Sequence, residues 1–278
     1  MGWKDERKRL LDTIRGELKK DIPLHDRVEG EHWDARAAEY LGNREETARI
    51  YLDYKRYLGN NLSQRLYLEL VSQGIAGKRV LSVGAGLGLD AMLFLERGAI
   101  LTAIDVSMGF LEVMAMGAGL LRLSPTLVRA SAHFLPFEDE SFDVIAGMGI
   151  LHHLNVPVAG PELARVLRPG GKAVFLEPRL LPLPLMHARA LVPVECRESP
   201  GGGALSRDDL LHLWRAFGQM RIHRFHILEF LCRVWQWLED RRMAVSKLDR
   251  FLLAALPVLG SVARAGVIEL ALVRDRRA

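Results

Sequence analysis

Three glycines on alternate positions, Gly84, Gly86 and Gly88, follow the apolar run Val80-Leu81-Ser82-Val83. A second apolar run, residues 99–104, ends on an acid, Asp105. Glycine lets a backbone approach a ligand that a Cβ would push away. An acid at the carboxyl end of a parallel strand can accept both hydroxyls of a ribose lying across the strand ends. Together these residues suit a nucleoside-bearing cofactor, and a lone glycine turn does not say which one. Further along, His152 and His153 follow one apolar run and Glu177 closes another. Imidazole and carboxylate are the groups that move protons in catalysis, so these three are the candidate bases. Cys196 and Cys232 form no metal or CxxC pattern, and no metal site is expected.

The elements that must hold these groups can be read from the periodicity. Short apolar runs at 80–83, 99–104, 126–130, 144–148 and 172–177 read as buried parallel strands. Helical patterns lie between them, as at 108–121, and the alternation specifies an α/β, doubly wound parallel sheet. Arg168-Pro169-Gly170-Gly171 stops the helix before the fifth strand. Ser206 and Asp209 form a capping box for a helix through Phe217, residues 221–228 fit a sixth strand, and 266–273 a closing one. Ahead of the sheet, 4–20 has the spacing of an amphipathic helix, a helix starts near His32-Trp33, and 44–73 reads as one continuing helix with Tyr51, Tyr54 and Tyr57 on its apolar stripe.

Composition bounds the rest. The chain has 278 residues, 49% of them hydrophobic, and a formal net charge of +4. Its basic residues are scattered rather than gathered in a stripe, so no nucleic-acid partner is expected. No apolar run reaches the ~20 residues that cross a bilayer. The charged start MGWKDERKRLL is unlike a signal peptide, and the cysteine usage suits a reducing compartment, so a cytoplasmic setting is expected.

Four blocks, VLSVGAGLGLDA, the acid in TAIDVS, LPFEDESFDVI, and LHHL followed by ELARVLRPGGKAVFLEP, stand in order between about 78 and 178. In these the sequence resembles the class I S-adenosylmethionine-dependent methyltransferases, most closely the group acting on small molecules. The resemblance implies a Rossmann-like, doubly wound, mainly parallel seven-stranded sheet. It divides the chain into an N-terminal helical cap, 1–76, and a methyltransferase domain, 77–278, with substrate-side insertions at 178–205 and 228–262. It also implies S-adenosyl-L-methionine as cofactor, S-adenosyl-L-homocysteine being its product.

Carried across, Gly84, Ala85, Gly86 and Gly88 would pass under the methionine portion, and Asp105 would hold the ribose, with Val106 on the adenine. Ala132 and His133 would flank the adenine amine, and Met148 and Gly149 would sit near the sulfonium. Two positions depart from the family. Ser82 stands where an acid is common, and Asp90 would partly cover that loss; Ser131 stands where an Asp is usual, leaving a weaker neutral acceptor. The LHH pattern recurs in the family whatever the substrate, so at least one of His152 and His153 is expected to be structural.

The leucine-rich stretch after Glu177 would wall the acceptor site, with His187 and Arg179 available to orient an anionic group. The expected partner is an apolar small molecule, and the leading reading is O-methylation of a hydroxyl or carboxylate in a secondary metabolite. One alternative is methylation of a lipid or prenylated quinone, with 228–262 making a peripheral membrane contact rather than packing on the core or a second subunit. A further alternative is a non-catalytic, cofactor-binding partner protein. The oligomeric state is not legible in the sequence.

Overall fold

In a computed structural model, the described residues are 21–177, 199–225, 228, 241–256, 259 and 265–273. The expected helix at 4–20, residues Arg179 and His187, both cysteines, and most of the two insertions lie outside them.

Seven strands form one sheet: β1 (Arg79–Val83), β2 (Ile100–Asp105), β3 (Thr126–Arg129), β4 (Phe142–Met148), β5 (Leu167–Glu177), β6 (Gly218–Phe225) and β7 (Ala265–Leu272). Their order is β3-β2-β1-β4-β5-β7-β6. The first five are parallel, and β7 runs antiparallel between β5 and β6. The parallel strands read as unbroken apolar runs because both faces are covered. Val80, Ala103, Val144 and Val174 pack into the core on one face, and Leu81, Ile104, Ile145 and Phe175 into the core on the other.

Helices α1 (Ile22–Gly42), α2 (Arg44–Leu52), α3 (Leu62–Ser72), α4 (Leu89–Glu96) and α5 (Met108–Leu120) serve the first face. On the other lie α6 (Val156–Val166) and α7 (Arg207–Phe217), and α8 (Arg242–Ala255) follows β6. The Ser206–Asp209 capping box forms as expected, each side chain pairing with the other residue's backbone.

Two expectations about the helical layer need correction. The helix at 44–73 is broken: α2 ends at Leu52, a short 3-10 turn covers Tyr54–Tyr57, and α3 restarts at Leu62. Asn61 causes the restart, since its side chain accepts from Gln64 N–H at 2.9 Å and caps the new helix. Tyr57 consequently stands 46% exposed instead of joining Tyr51 and Tyr54 in the core. The helix expected near His32 begins ten residues earlier, capped by Asp21 and carrying a proline in its first turn.

Because β2 and β3 lie to one side of β1, and β4 and β5 to the other, the chain reverses direction between β1 and β4. The carboxyl ends of strands at such a switch point form the natural ligand crevice of an open α/β sheet.

Candidate active site

The turns after β1, β2 and β4 meet at that crevice and line a cleft of about 340 Å3. Asp105 is 8% exposed at its edge. Its Oδ2 accepts from Gly86 N–H and its Oδ1 from Ser107 N–H, both at 2.9 Å. One backbone donor on each oxygen fixes the carboxylate and leaves a lone pair on each for a ligand. Burial pushes its pKa up, against those two hydrogen bonds.

The three glycines do different work. All have left-handed backbones, with φ of +62°, +51° and +62°. A Cβ on Gly84 would overlap Ile150, and one on Gly88 would sit 2.7 Å from Met114 Sδ, so these two glycines serve packing. A Cβ on Gly86 would meet no protein atom within 4 Å. Gly86 is therefore where the backbone lies open to a ligand.

Of the other expected contacts, Val106, Ala132, Met148 and Gly149 line this cleft with Gly84 and Gly86. Ser82, Ala85, Gly88 and Asp90 line an adjoining hollow of about 270 Å3 that shares Gly84, Gly86 and Met148 with it. There Tyr67 O–H donates to Asp90 Oδ2 at 2.7 Å, and burial raises the pKa of Asp90. Tyr51 O–H donates to Leu87 O at 2.6 Å, tying α2 to the glycine turn.

Ser131 and His133 line neither hollow. His133 is fully buried: Asn155 N–H donates to its Nε2 at 2.9 Å, so Nδ1 carries the proton and gives it to Asp26 Oδ1 at 2.8 Å. Burial opposes ionisation of Asp26, but hydrogen bonds from His133, His25 and Ser131 outweigh it and hold the carboxyl well below its usual range. His25, Asp26 and His133 bring three ligand-type atoms within 4.8 Å of one another. A metal on His133 Nδ1 would require that ring to lose its last proton, so the cluster is a tie between α1 and the turn after β3.

The three candidate bases separate clearly. Glu177 is fully buried; its Oε1 accepts from Ile150 N–H at 3.0 Å and Leu151 N–H at 2.8 Å, and its Oε2 from His152 Nδ1 at 2.7 Å. These bonds hold the turn after β4, and neither residue lines the cleft. His153 does line it.

The expected helical cap supplies the cleft's second wall, but sequence reasoning did not name the residues that line it. His25, Glu29, Trp33, Arg36 and Tyr40 lie on one face of α1 and line the cleft opposite the sheet. Their spacing of three or four residues was the available signal. Asp34 docks this helix: it accepts from Ser107 Oγ at 2.6 Å and Gly109 N–H at 2.9 Å, at the start of α5.

Residues 81–175 match the family profile described as a methyltransferase domain. A demethylmenaquinone methyltransferase of Clavibacter sepedonicus is 36% identical over 135 residues, covering 47% of this chain and 53% of that protein. A ubiquinone biosynthesis O-methyltransferase of Alkalilimnicola ehrlichii is 33% identical over 115 residues, covering 40% and 47% respectively. The chain thus spans about half the length of these curated relatives. The crystal structure of geranyl diphosphate C-methyltransferase from Streptomyces coelicolor A3(2), bound to Mg2+, geranyl diphosphate and S-adenosyl-L-homocysteine, aligns with a TM-score of 0.52 at 14% identity, covering 75% of this chain and 79% of that one. The chain carries a methyltransferase domain on the class I, S-adenosylmethionine-dependent methyltransferase fold.

Proposed function

We propose that this protein is an S-adenosylmethionine-dependent methyltransferase acting on an apolar small molecule, by O-methylation of a hydroxyl or carboxylate. The carrying observation is the Asp105 carboxylate, fixed by two backbone donors beside the open backbone of Gly86. The residues present fit the cofactor. Asp105 would hold the ribose hydroxyls, Val106 and Ala132 would flank the adenine, and the hollow at Ser82, Gly88 and Asp90 would take the methionine end. When bound, the cofactor supplies a methyl group on a positively charged sulfur. The protein's part is then mainly to position the acceptor and exclude water. Val83, Ile104, Phe110, Ile150 and Leu154 in the cleft lining support an apolar acceptor.

A release assay for S-adenosyl-L-homocysteine tests this, run with apolar phenols, quinols and carboxylic acids. Turnover stimulated by at least one class of apolar probe and not by polar ones is expected. Cofactor binding with no turnover on any probe would return the protein to the non-catalytic reading.

A second reading, methylation of a lipid or prenylated quinone at a membrane surface, is favoured by α8. Two of its polar side chains point inward: Ser246 Oγ accepts from Leu62 N–H at 3.2 Å, and Asp249 from Leu228 N–H at 2.7 Å. Two of its large apolar residues point outward, Leu248 48% and Phe251 67% exposed, beside the exposed cations Lys247 and Arg250. That inversion suits an anionic lipid surface. No helix among the described residues is long and apolar enough to cross a membrane. The names of the demethylmenaquinone and ubiquinone relatives support the same reading. Flotation with anionic vesicles, lost in Phe251→Glu, is expected; equal recovery of both forms from the vesicle fraction would contradict it.

A further inference from the structure

Glu29 has no counterpart among the groups expected to act, yet it is the most heavily engaged side chain beside the cleft. It sits on α1 with 4% of its side chain exposed. Its Oε1 accepts from Gly201 N–H at 2.7 Å, and its Oε2 from Trp33 Nε1–H at 3.0 Å. The same Oε2 lies 3.3 Å from His153 Nδ1, and Ser199 Oγ stands 2.8 Å from that nitrogen. The Trp33 and His153 rings meet edge to face at 5.5 Å. Burial opposes ionisation of Glu29, but hydrogen bonds from His153, Ser199 and Trp33 outweigh it and hold the carboxyl at about 2. Glu29 is thus an acceptor only, at the end of the chain His153–Ser199–Glu29.

An acceptor-only terminus fixes the direction of the protons. The carboxylate 3.3 Å from His153 Nδ1 favours a hydrogen on that nitrogen, bonded to Ser199 Oγ at 2.8 Å, and leaves the lone pair on Nε2. Burial keeps the ring from becoming charged, against the attraction of Glu29. No described residue bonds His153 Nε2, and His153 lines the cleft beside Gly149 and Ile150.

We propose that Glu29 is a positioning residue that sets His153 as the general base, so the acceptor is one that must lose a proton during transfer, a phenolic or enolic hydroxyl or an acidic carbon, and not a carboxylate. This rests on the methyltransferase reading above. In the step, His153 Nε2 takes the acceptor's proton. The electron pair left on the acceptor forms the bond to the methyl carbon, and the pair of the broken carbon–sulfur bond stays on sulfur. A carboxylate arrives already ionised and has no use for a base held in this way. Glu29 also ties the segment at Gly201 to α1 through its other oxygen.

Long-range 1H–15N spectra of the histidine rings test the arrangement without an acceptor, in the free protein and with S-adenosyl-L-homocysteine. The His153 signals are those missing from His153→Gln. A ring protonated at Nδ1 and bare at Nε2 is expected, with the tautomers mixed in Glu29→Gln and restored in part in Glu29→Asp. For turnover the probes are a short-chain prenylated 1,4-naphthohydroquinone and farnesoic acid. Methylation of the quinol is expected to fall about a hundredfold or more in His153→Gln and about tenfold in Glu29→Gln, with KM little changed. Removing the carboxylate lowers the His153 pKa, so the acid limb of the kcat profile should move to lower pH. A wild-type ring protonated at Nε2 would overturn the proposal. So would an unchanged tautomer in Glu29→Gln, or methyl ester formation from farnesoic acid that survives His153→Gln. Failure to bind S-adenosyl-L-homocysteine would instead sink the methyltransferase reading, while the tautomer still reports on the dyad.

Discussion

Glu177 Oε2 stands 2.7 Å from His152 Nδ1, and the other oxygen of the same carboxylate accepts from two successive backbone N–H groups, Ile150 and Leu151. A fully buried acid thus holds the turn after β4, placing Gly149 and His153 at the cleft. Hydrogen bonds to a buried charged acceptor contribute about 1.5–3 kcal/mol each. Glu177→Gln keeps one acceptor oxygen and should destabilise the fold by on the order of 3 kcal/mol, read as a lower urea midpoint with an unchanged m-value. An unchanged midpoint would mean that this carboxylate does not hold the turn.

The Glu29 carboxyl gives the α1 wall a pH dependence of known sign. Its folded-state pKa, about 2, lies below the ordinary 4.5. The stabilisation is therefore complete above the ordinary value and is lost as pH falls towards 2. Glu29→Gln should flatten the slope of unfolding free energy against pH between 5 and 2, removing on the order of 3 kcal/mol of acid sensitivity. Urea titrations at a series of pH values measure this. Parallel curves for the two proteins would contradict it.

Gly84 and Gly86 have nearly the same backbone conformation and different surroundings. Both alanine variants carry a left-handed penalty of about 1–2 kcal/mol. Gly84→Ala adds an overlap with the Ile150 side chain, so it should be the less stable, with a lower Tm. Gly86→Ala meets no protein atom and should fold while losing affinity for S-adenosyl-L-homocysteine. Calorimetry and thermal melts on the pair distinguish the two roles. Equal affinity of Gly86→Ala and wild type would show that no ligand passes over that turn.

The sheet was legible because its signals are local. Val80-Leu81-Ser82-Val83 and its counterparts are buried on both faces, so each strand shows as an unbroken apolar run, and Asp105 ends one of them. The helical layer was less legible because single side chains decide its breaks, as Asn61 does in restarting α3. His133 and Glu177 looked like site residues by position along the chain. Their partners, Asp26 and the backbone of Ile150 and Leu151, lie 107 and 26–27 residues away, and those contacts set their work. Glu29 was hidden for the same reason: its meaning comes from His153, Ser199 and Gly201, which only the tertiary fold brings to it.

The central claim is that Asp105 holds a ribose on the open backbone of Gly86, and titration calorimetry with S-adenosyl-L-homocysteine tests it most directly. Wild-type protein should bind near micromolar affinity. Asp105→Asn, which loses the charged acceptor for two hydroxyls, should bind more weakly by on the order of 3 kcal/mol, about a hundredfold. Circular dichroism should show the variant folded, since only one of the two backbone donors, Gly86 or Ser107, loses its acceptor. Equal affinity of the two proteins, or a wild type that does not bind, would contradict the account.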